Sequence, residues 1–356
     1  MSRTVFILGA GTSKLAGAPL MHEFLDVADD LMHAKGPGET YDDFELVFKG
    51  INALRPAYAN ANVDLSNNIE SVFAAFEMAR LIRQLGNLTD QEIDGLPKAM
   101  RRVIEQTLEK TIQLPVSGEQ VLPPRPYQDF ADLLKNISKP GDRNPNTASV
   151  LTFNYDLCID YALHFNSIRS NYCLESGATG GLKLLKLHGS LNWAQCPKCS
   201  KVTAWRMDQF FSGRNWTLWP ETKQVPLNIA SQIKQYNHCA GASAEEPFVV
   251  PPTWNKTEYH HVLQPVWQAA INELREAEYI IVFGYSLPPT DQFFRFLYAL
   301  GTVGEVRLKR FCVFDPNTEV ENRFKELLGP VVKDRFVFRR MGFQNAISEF
   351  NQFLPK

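Results

Sequence analysis

Six short apolar runs are the feature that most limits how this 356-residue chain can fold. They are rich in Val, Ile, Leu and Phe and do not alternate with polar residues, a pattern typical of parallel strands buried on both faces. Helical patterns lie between them near both ends of the chain. The sequence therefore predicts an α/β protein with a Rossmann-like parallel sheet and helices on both faces. The predicted strands are Val5 to Leu8, Ser149 to Thr152, Leu182 to Leu187, Pro247 to Val250, Tyr279 to Phe283 and Phe311 to Phe314.

The order of these patterns divides the chain into three predicted parts. Residues 36–145 are mostly helical in pattern and predict a large helical insertion, which ends in the turn-forming stretch K-P-G-D-R-N-P-N. Residues 196–246 form a small module that contains cysteines. The first helix is predicted over Pro19 to Leu31. The predicted Rossmann domain consists of residues 1–35, 146–195 and 247–356.

Charge and hydropathy argue against two kinds of partner, although a local basic patch would escape a count of the overall charge. The chain is 44% hydrophobic and 21% charged, and its formal net charge of -2 gives no overall attraction to nucleic acid or to an anionic membrane. It contains no run of about 18 apolar residues and no signal-peptide pattern at its N-terminus. We therefore expect a cytoplasmic protein that binds a small molecule or another protein, with no membrane contact and no direct nucleic-acid binding.

The loop after the first predicted strand contains two glycines one residue apart, in the stretch I-L-G-A-G-T-S of residues 7–13. Gly9 would allow a tight turn, and Gly11 would let the backbone approach a pyrophosphate beside a helix N-terminus. The dehydrogenase fingerprint is incomplete, because Lys14 stands where its third glycine would be and no acidic residue ends a second strand. A tight turn without a ligand is the alternative.

Three more strand ends carry glycine or polar residues. They read L-T-F-N-Y-D at residues 151–156, L-K-L-H-G-S-L-N-W at 185–193 and F-G-Y-S-L at 283–287. Ligands of open α/β sheets bind in the crevice beyond the carboxyl ends of the strands. Taken in order with G-A-G-T-S and C-P-K-C, these stretches resemble the sirtuin (SIR2) superfamily, and most closely the sirtuin-like NAD-hydrolysing domains of bacterial anti-phage defence proteins. The resemblance covers residues 1–30 and roughly 148–330.

The resemblance implies roles for individual residues. Asn154 would position a water or the ribose near C1′, His188 would act as general base, and Asp156 would read the nicotinamide carboxamide. Cleavage of the nicotinamide–ribose bond passes through an oxocarbenium-like state, so a site must orient the ring and manage a proton, which suits an imidazole. Gly11→Val would then abolish NAD binding with little loss of thermal stability. The diphosphate would lie on Gly9, Ala10, Gly11 and Ser13, and the adenosine on Gly284, Ser286, Asp315 and Asn317.

Ordinary structural roles are open for three of the polar residues near these strand ends. His188 is also compatible with a core position in which its ring bonds to the backbone. Asn154 is compatible with a turn or with an N-cap for a helix from Leu157 to Leu163, and Asp291 with a cap of the helix that follows it.

The stretch Cys196-Pro-Lys-Cys199 is half of a zinc site, since two thiolates at this spacing can bind one tetrahedral ion. The second half is incomplete, because Tyr236 stands where a partner of Cys239 would be. His238 could coordinate instead, although neighbouring residues seldom both point at one ion. We therefore favour a zinc-ribbon-like module that contains no metal. A module that binds zinc is the alternative.

The resemblance implies an NAD+ glycohydrolase that releases nicotinamide and ADP-ribose and depletes NAD in anti-phage defence. The alternatives are an NAD-dependent protein deacylase and a non-catalytic sensor of NAD or ADP-ribose that controls a partner. After Pro19 the chain reads L-M-H-E-F, where deacetylating sirtuins have Asp-Phe-Arg. The resemblance also implies a homo-oligomer and a separately encoded partner such as a helicase-like ATPase. The candidate contact surfaces are the helical block and a C-terminal helix with Phe343, Ile347, Phe350 and Leu354.

Overall fold

The computed structural model describes most of the chain, with gaps between the described ranges. These are residues 3–34, 36, 40–61, 69–137, 147–175, 177, 179–211, 218–235, 238–240, 244, 246–250, 260–289, 291–303 and 307–350. Over these ranges no helix combines the length and apolar character needed to span a membrane.

Thirteen strands and twelve helices lie within the described ranges. The strands are β1 (Arg3–Leu8), β2 (Gln113–Ser117), β3 (Gln120–Val121), β4 (Thr147–Thr152), β5 (Ser170–Asn171), β6 (Leu182–Lys186), β7 (Gly189–Gln195), β8 (Val202–Ala204), β9 (Gln224–Pro226), β10 (Pro247–Val249), β11 (Tyr279–Phe283), β12 (Arg310–Phe314) and β13 (Phe336–Arg339). The helices are α1 (Phe24–His33), α2 (Asp42–Ala61), α3 (Ile69–Ile82), α4 (Asp90–Thr111), α5 (Arg125–Ile137), α6 (Cys158–Phe165), α7 (Met207–Phe211), α8 (His260–Glu276), α9 (Gln292–Gly301), α10 (Glu319–Leu327), α11 (Pro330–Lys333) and α12 (Phe343–Phe350).

The main sheet has seven strands in the order β13-β12-β11-β1-β4-β6-β5, and every neighbouring pair is parallel. Residues 5–8 of β1 and 280–283 of β11 are apolar and fully buried, as expected for a sheet covered on both faces. The predicted Rossmann-like class is confirmed. β1 lies between β11 and β4, so the chain changes direction across the sheet at this strand.

One predicted strand belongs to a different sheet. Pro247–Val249 pairs with β7 in antiparallel orientation, in a three-stranded sheet of order β10-β7-β8. The expectation of a parallel strand here is wrong, because a short apolar run carries no information about its partner. The first helix also begins later than Pro19, at Phe24, since the Glu23 carboxylate accepts a hydrogen bond from the Leu20 N–H and holds the preceding segment in a turn.

Aromatic side chains join the sheet to the helices on its two faces. Phe6 of β1 lies 5.1 Å from Phe130 of α5 and 5.7 Å from Phe350 of α12, measured between ring centroids. α8 contacts β1 and β6 and packs against α9 on the other face. Residues 36–145 therefore contribute one helix, α5, to the face of the sheet.

The other helices of this block are α2, α3 and α4, and α2 and α3 both pack on α4. α4 begins with a capping box, in which the Thr89 hydroxyl accepts from the Glu92 N–H and the Glu92 carboxylate accepts from the Thr89 N–H. β2 lies beside β9 of the cysteine-containing segment in a second small sheet. The domain boundaries at residues 35, 145, 195 and 246 stay predictions.

Candidate active site

Three loops meet at the carboxyl ends of β1, β4 and β11, which are neighbours in the sheet. In an open α/β sheet, the crevice beyond the strand ends at such a change of direction is the usual ligand site. The Gly9 N–H donates to the Phe283 carbonyl at 3.0 Å, and the Gly11 N–H donates to the Gly284 carbonyl at 3.0 Å. The loop after β1 is therefore fastened to the loop after β11.

This contact explains why the first loop needs glycine. A Cβ at Gly9 would lie 2.5 Å from the Gly284 oxygen, and one at Gly11 would lie 2.9 Å from the Gly284 Cα. The side chain that Gly11→Val adds would thus collide with backbone. The expectation that this substitution leaves thermal stability nearly unchanged is wrong, because the second glycine makes room for a neighbouring loop of the protein itself.

The Asn154 side chain bridges from β4 to the glycine loop. Its Nδ2 lies 3.0 Å from the Gly9 carbonyl oxygen, 3.2 Å from Thr12 Oγ1 and 3.1 Å from Ser13 Oγ. A carbonyl oxygen can only accept, so the amide nitrogen must face Gly9 and Oδ1 is directed away from the loop. Asn154 is nine-tenths buried. Its carboxamide both orders the loop and presents an acceptor on its other side.

The Asp156 carboxylate has two protein donors. Oδ2 accepts from the Ser13 hydroxyl at 2.6 Å, and Oδ1 accepts from the Cys158 N–H at 3.0 Å, in the first turn of α6. The helix is thus stabilised by Asp156, and the alternative role of Asn154 as its cap is wrong. The cap role of Asp291 is confirmed, since its carboxylate accepts from the Phe294 N–H at 3.1 Å.

Tyr127 of α5 completes this network and was missed by the sequence interpretation. Its hydroxyl lies 2.8 Å from Thr12 Oγ1 and 2.7 Å from Ser13 Oγ. Ser13 already donates to Asp156, and Thr12 donates to the Gly9 carbonyl, so Tyr127 is the donor in this group. Burial, followed by the charge of Asp156, raises the pKa of Tyr127 well above its usual value and keeps this proton in place.

His188 lies in an aromatic pocket next to the Asn154 loop. The centroid of its ring is 5.2 Å from that of Phe153 and 6.2 Å from that of Tyr155, the two residues that flank Asn154. The Val250 N–H donates to the His188 carbonyl at 2.7 Å and fixes the main chain. His188 is 7% exposed. The fold therefore brings His188 to the same strand ends as Asn154.

The residues assigned to the adenosine follow β11 and β12. Gly284 is the residue fastened to the glycine loop, and the Ser286 carbonyl accepts from Arg323 Nη1 at 3.2 Å. Asp315 Oδ1 accepts from the Asn317 N–H at 2.8 Å, and burial raises the pKa of the Asp315 carboxyl. Asn317 Oδ1 in turn accepts from a backbone N–H of α10. All four residues lie along one edge of the sheet.

A buried ion pair supports the Asn154–Asp156 loop from the protein interior. Lys186 Nζ donates to the main-chain carbonyl of Asp156 at 2.6 Å and to Asp160 Oδ2 at 2.9 Å, and both charged side chains are fully buried. The Tyr172 hydroxyl donates to the other oxygen of Asp160 at 2.6 Å. Sequence reasoning missed this group, although a lysine inside an apolar strand pattern was a signal for it.

Four possible metal ligands meet in the small module. The four residues are Cys196, Cys199, His238 and Cys239. One ligand atom from each lies within 4.8 Å of the ligand atoms of the other three. The expectation that His238 and Cys239 would not point at one ion is wrong. Both neighbours thus lie beside the C-P-K-C turn.

The spacing of these atoms fits zinc. Cys199 Sγ lies 3.7 Å from Cys239 Sγ, and His238 Nδ1 lies 3.4 Å from both sulfurs. Corners of a tetrahedron around zinc are about 3.5–3.8 Å apart for Zn–N and Zn–S bonds of ordinary length. Burial opposes ionisation of Cys196, but the backbone N–H groups of Cys199 and Lys198 lower the pKa of its thiol to about 6. Hydrogen bonds with Cys199 and Cys196 raise the pKa of the Cys239 thiol to about 11, so a metal ion that binds here would have to displace protons from the cluster.

We expect the purified chain to bind one zinc ion per molecule, as measured by elemental analysis after dialysis. Cys199→Ser should lose most of the metal and lower the melting temperature, because a structural ion contributes its binding free energy to folding. Cys312→Ser is the matched control, since Cys312 lies outside the cluster in β12. Equal zinc content in the two variants would contradict the site.

The sequence matches no protein-family model and no curated protein. Among solved structures, the chain is similar to a mutant Sir2 homologue in complex with ADP-ribose, with 15% identity and a TM-score of 0.43, over 99% of this chain and 94% of that one. A Sir2 homologue in complex with NAD has 16% identity and a TM-score of 0.43, over 99% and 88% of the two chains. Sir2Tm bound to a propionylated peptide has 13% identity and a TM-score of 0.39, over 98% and 92%.

Proposed function

We propose that this protein is a sirtuin-like NAD+ glycohydrolase, which transfers the ADP-ribosyl group of NAD+ to water and depletes NAD in anti-phage defence. The observation that carries the proposal is the junction of the glycine loop with Asn154 and Asp156. Three sequence stretches that resemble sirtuin motifs are hydrogen-bonded to one another at the ends of β1, β4 and β11. Composition and strand periodicity alone do not require these three stretches to meet, so their contact supports the proposal.

The geometry supports a division of roles around the bound dinucleotide. The N–H groups of Gly9, Gly11, Thr12 and Ser13 donate to protein carbonyls. The diphosphate would therefore lie against the loop after β1 and meet the remaining N–H groups of its two short 3₁₀ turns. Asn154 uses its nitrogen on the protein, which leaves its oxygen to orient a water or a ribose hydroxyl. His188, in its aromatic pocket, would take the proton from that nucleophile as the bond to nicotinamide breaks. Asp156 would receive the nicotinamide carboxamide through the lone pairs that its two protein donors leave.

A protein deacylase is the second candidate, and the complete Cys/His cluster favours it, since a folded metal module beside the sheet is one of its requirements. The L-M-H-E-F stretch after Pro19 argues against it.

One experiment separates the candidates. Purified protein is mixed with NAD+, with and without a lysine-acylated peptide, and free nicotinamide and the peptide mass are measured. Nicotinamide release without peptide supports the glycohydrolase, and release that requires peptide supports the deacylase. Binding without release supports a sensor.

We also propose that the protein acts as a homo-oligomer under the control of a separate partner. Phe296, Leu300 and Val303 recur on one side of α9 and its C-terminal end, and they are 66%, 60% and 69% exposed. The C-terminal helix is the weaker candidate, because Phe343, Ile347 and Phe350 are buried against the sheet; Leu354 lies outside the described residues.

Light scattering should give a mass of at least two chains for the wild type. The double variant Phe296→Ser/Leu300→Ser should shift the protein toward the monomer, while Val331→Ser on α11, where the side chain is 61% exposed, should not. A wild-type monomer at all concentrations would refute the proposal.

A further inference from the structure

A cleft of about 540 Å³ has Asp160, the buried ion-pair partner of Lys186, in its lining. We call it the β5–β8 cleft. Its walls are the end of α6, the segment 170–175 that begins with β5, strand β8 and the first residues of α7. Its lining includes no residue of the glycine loop and neither Asn154 nor His188. It is thus separate from the dinucleotide site.

Both strands that border the cleft are at the edge of a sheet. β5 is the outer strand of the seven-stranded sheet, and β8 is the outer strand of the three-stranded sheet. The Lys201 carbonyl accepts from the Cys196 N–H, and the Trp205 N–H donates to the Asn192 carbonyl of β7. Thr203 is opposite Ala194 and lies two residues from each of them, so its main-chain groups also point toward β7. Backbone groups alternate along an antiparallel strand, so those of Val202 and Ala204 point away from β7. Edge groups of this kind are a template for one more strand.

The side chains of the cleft add polar and apolar contacts. The buried Thr203 hydroxyl has no hydrogen-bond partner within the part of the chain that the structure describes. Ile168, Leu174 and Met207 supply apolar surface. An occupant with alternating side chains would meet both kinds of contact.

The charges of the lining are nearly all balanced. Asp160 is paired with Lys186, Asp208 with Arg206 and Glu175 with Lys201. Burial lowers the pKa of His164, so its imidazole is neutral at pH 7. Arg169 is also a charged residue of the lining, and it forms no ion pair with any residue in the described ranges. The net charge left for an occupant is therefore positive.

We propose that the β5–β8 cleft binds an extended peptide segment of a partner protein, which adds as a strand to the edge of β8 and places an acidic side chain beside Arg169. Main-chain hydrogen bonds to Val202 and Ala204 supply affinity in such a complex, and the flanking pockets supply selectivity. The proposal concerns a protein partner and does not depend on NAD hydrolysis.

The test uses fluorescein-labelled blocked pentapeptides and fluorescence anisotropy with the full chain. The probe has the sequence T-V-E-V-T. One control peptide replaces its glutamate by lysine, and a second carries N-methyl groups on alternate amides. We expect saturable binding of the probe, at least tenfold weaker binding of the lysine peptide, and loss of binding by the N-methylated peptide.

Two variants locate the binding on the protein. Arg169→Ala should weaken the probe at least fivefold and should not weaken the lysine peptide. Ala204→Pro removes an N–H that points away from β7, so it should block binding and keep the β7 ladder, whereas Ala204→Val should bind normally. Binding of the N-methylated peptide, or unchanged binding in Arg169→Ala, would overturn the proposal, as would absence of probe binding at millimolar peptide. Arg169 is exposed, so Arg169→Ala should fold normally. It therefore tests the cleft even if Ala204→Pro does not fold.

Discussion

Replacing His188 by alanine should lower kcat for nicotinamide release by about 10²–10⁴-fold, the usual contribution of a general base. The side chain packs against Phe153 and Tyr155 at the edge of the site, outside the hydrogen-bond ladder of the main sheet, so the fold should survive. Activity is measured as nicotinamide released from NAD+, and folding by circular dichroism and melting temperature. His33→Ala, at an exposed position on α1, is the control.

Asn154→Ala should have an effect of similar size on kcat, with an added loss of NAD+ affinity. The substitution removes the acceptor proposed for the nucleophile and also the donor that fastens Gly9, Thr12 and Ser13. Calorimetry with NAD+ separates the two effects. Asn166→Ala is a matched control, because that asparagine also makes several side-chain hydrogen bonds but lies beyond α6. Turnover near that of the wild type in either active-site variant would rule out the catalytic assignment.

Lys186→Met should be the most destabilising of these substitutions. It leaves the Asp160 carboxylate buried without its partner, and breaking a buried pair in this way costs about 3–5 kcal/mol of the free energy of unfolding. The double variant Lys186→Met/Asp160→Asn removes both charges and should recover most of that loss. Denaturant titration of the two variants measures the difference.

The same pair of variants separates stability from activity. The double variant still lacks the bond from Nζ to the Asp156 carbonyl, so the Asn154–Asp156 loop is less well held and nicotinamide release should stay at least tenfold low. Asp160→Asn alone keeps that bond and should be more active than the double variant at equal folded fraction. If the double variant regains full activity with its stability, Lys186 serves the fold alone.

Local sequence patterns were sufficient for the class of fold and for five of the seven strands of the main sheet, with β5 and β13 as the exceptions. Continuous apolar runs mark strands that are buried on both faces, wherever they pair, and polar residues directly after such runs mark the binding edge of the sheet. Gly9, Asn154, Asp156 and Gly284 could be placed together in this way. Their separation along the chain does not matter, because parallel strands bring their carboxyl ends to one edge.

Contacts between distant segments were decided by the tertiary structure. Tyr127 reaches Ser13 across 114 positions in sequence, and the reason is the packing of α5 on β1, which no local pattern encodes. The same holds for three other contacts, which depend on how distant segments pack together. They are the pairing of β10 with β7, the ion pair of Lys186 with Asp160, and the approach of His238 and Cys239 to the C-P-K-C turn. Periodicity reports which side of an element is buried, whereas the identity of the neighbour is set by the packing of the whole chain.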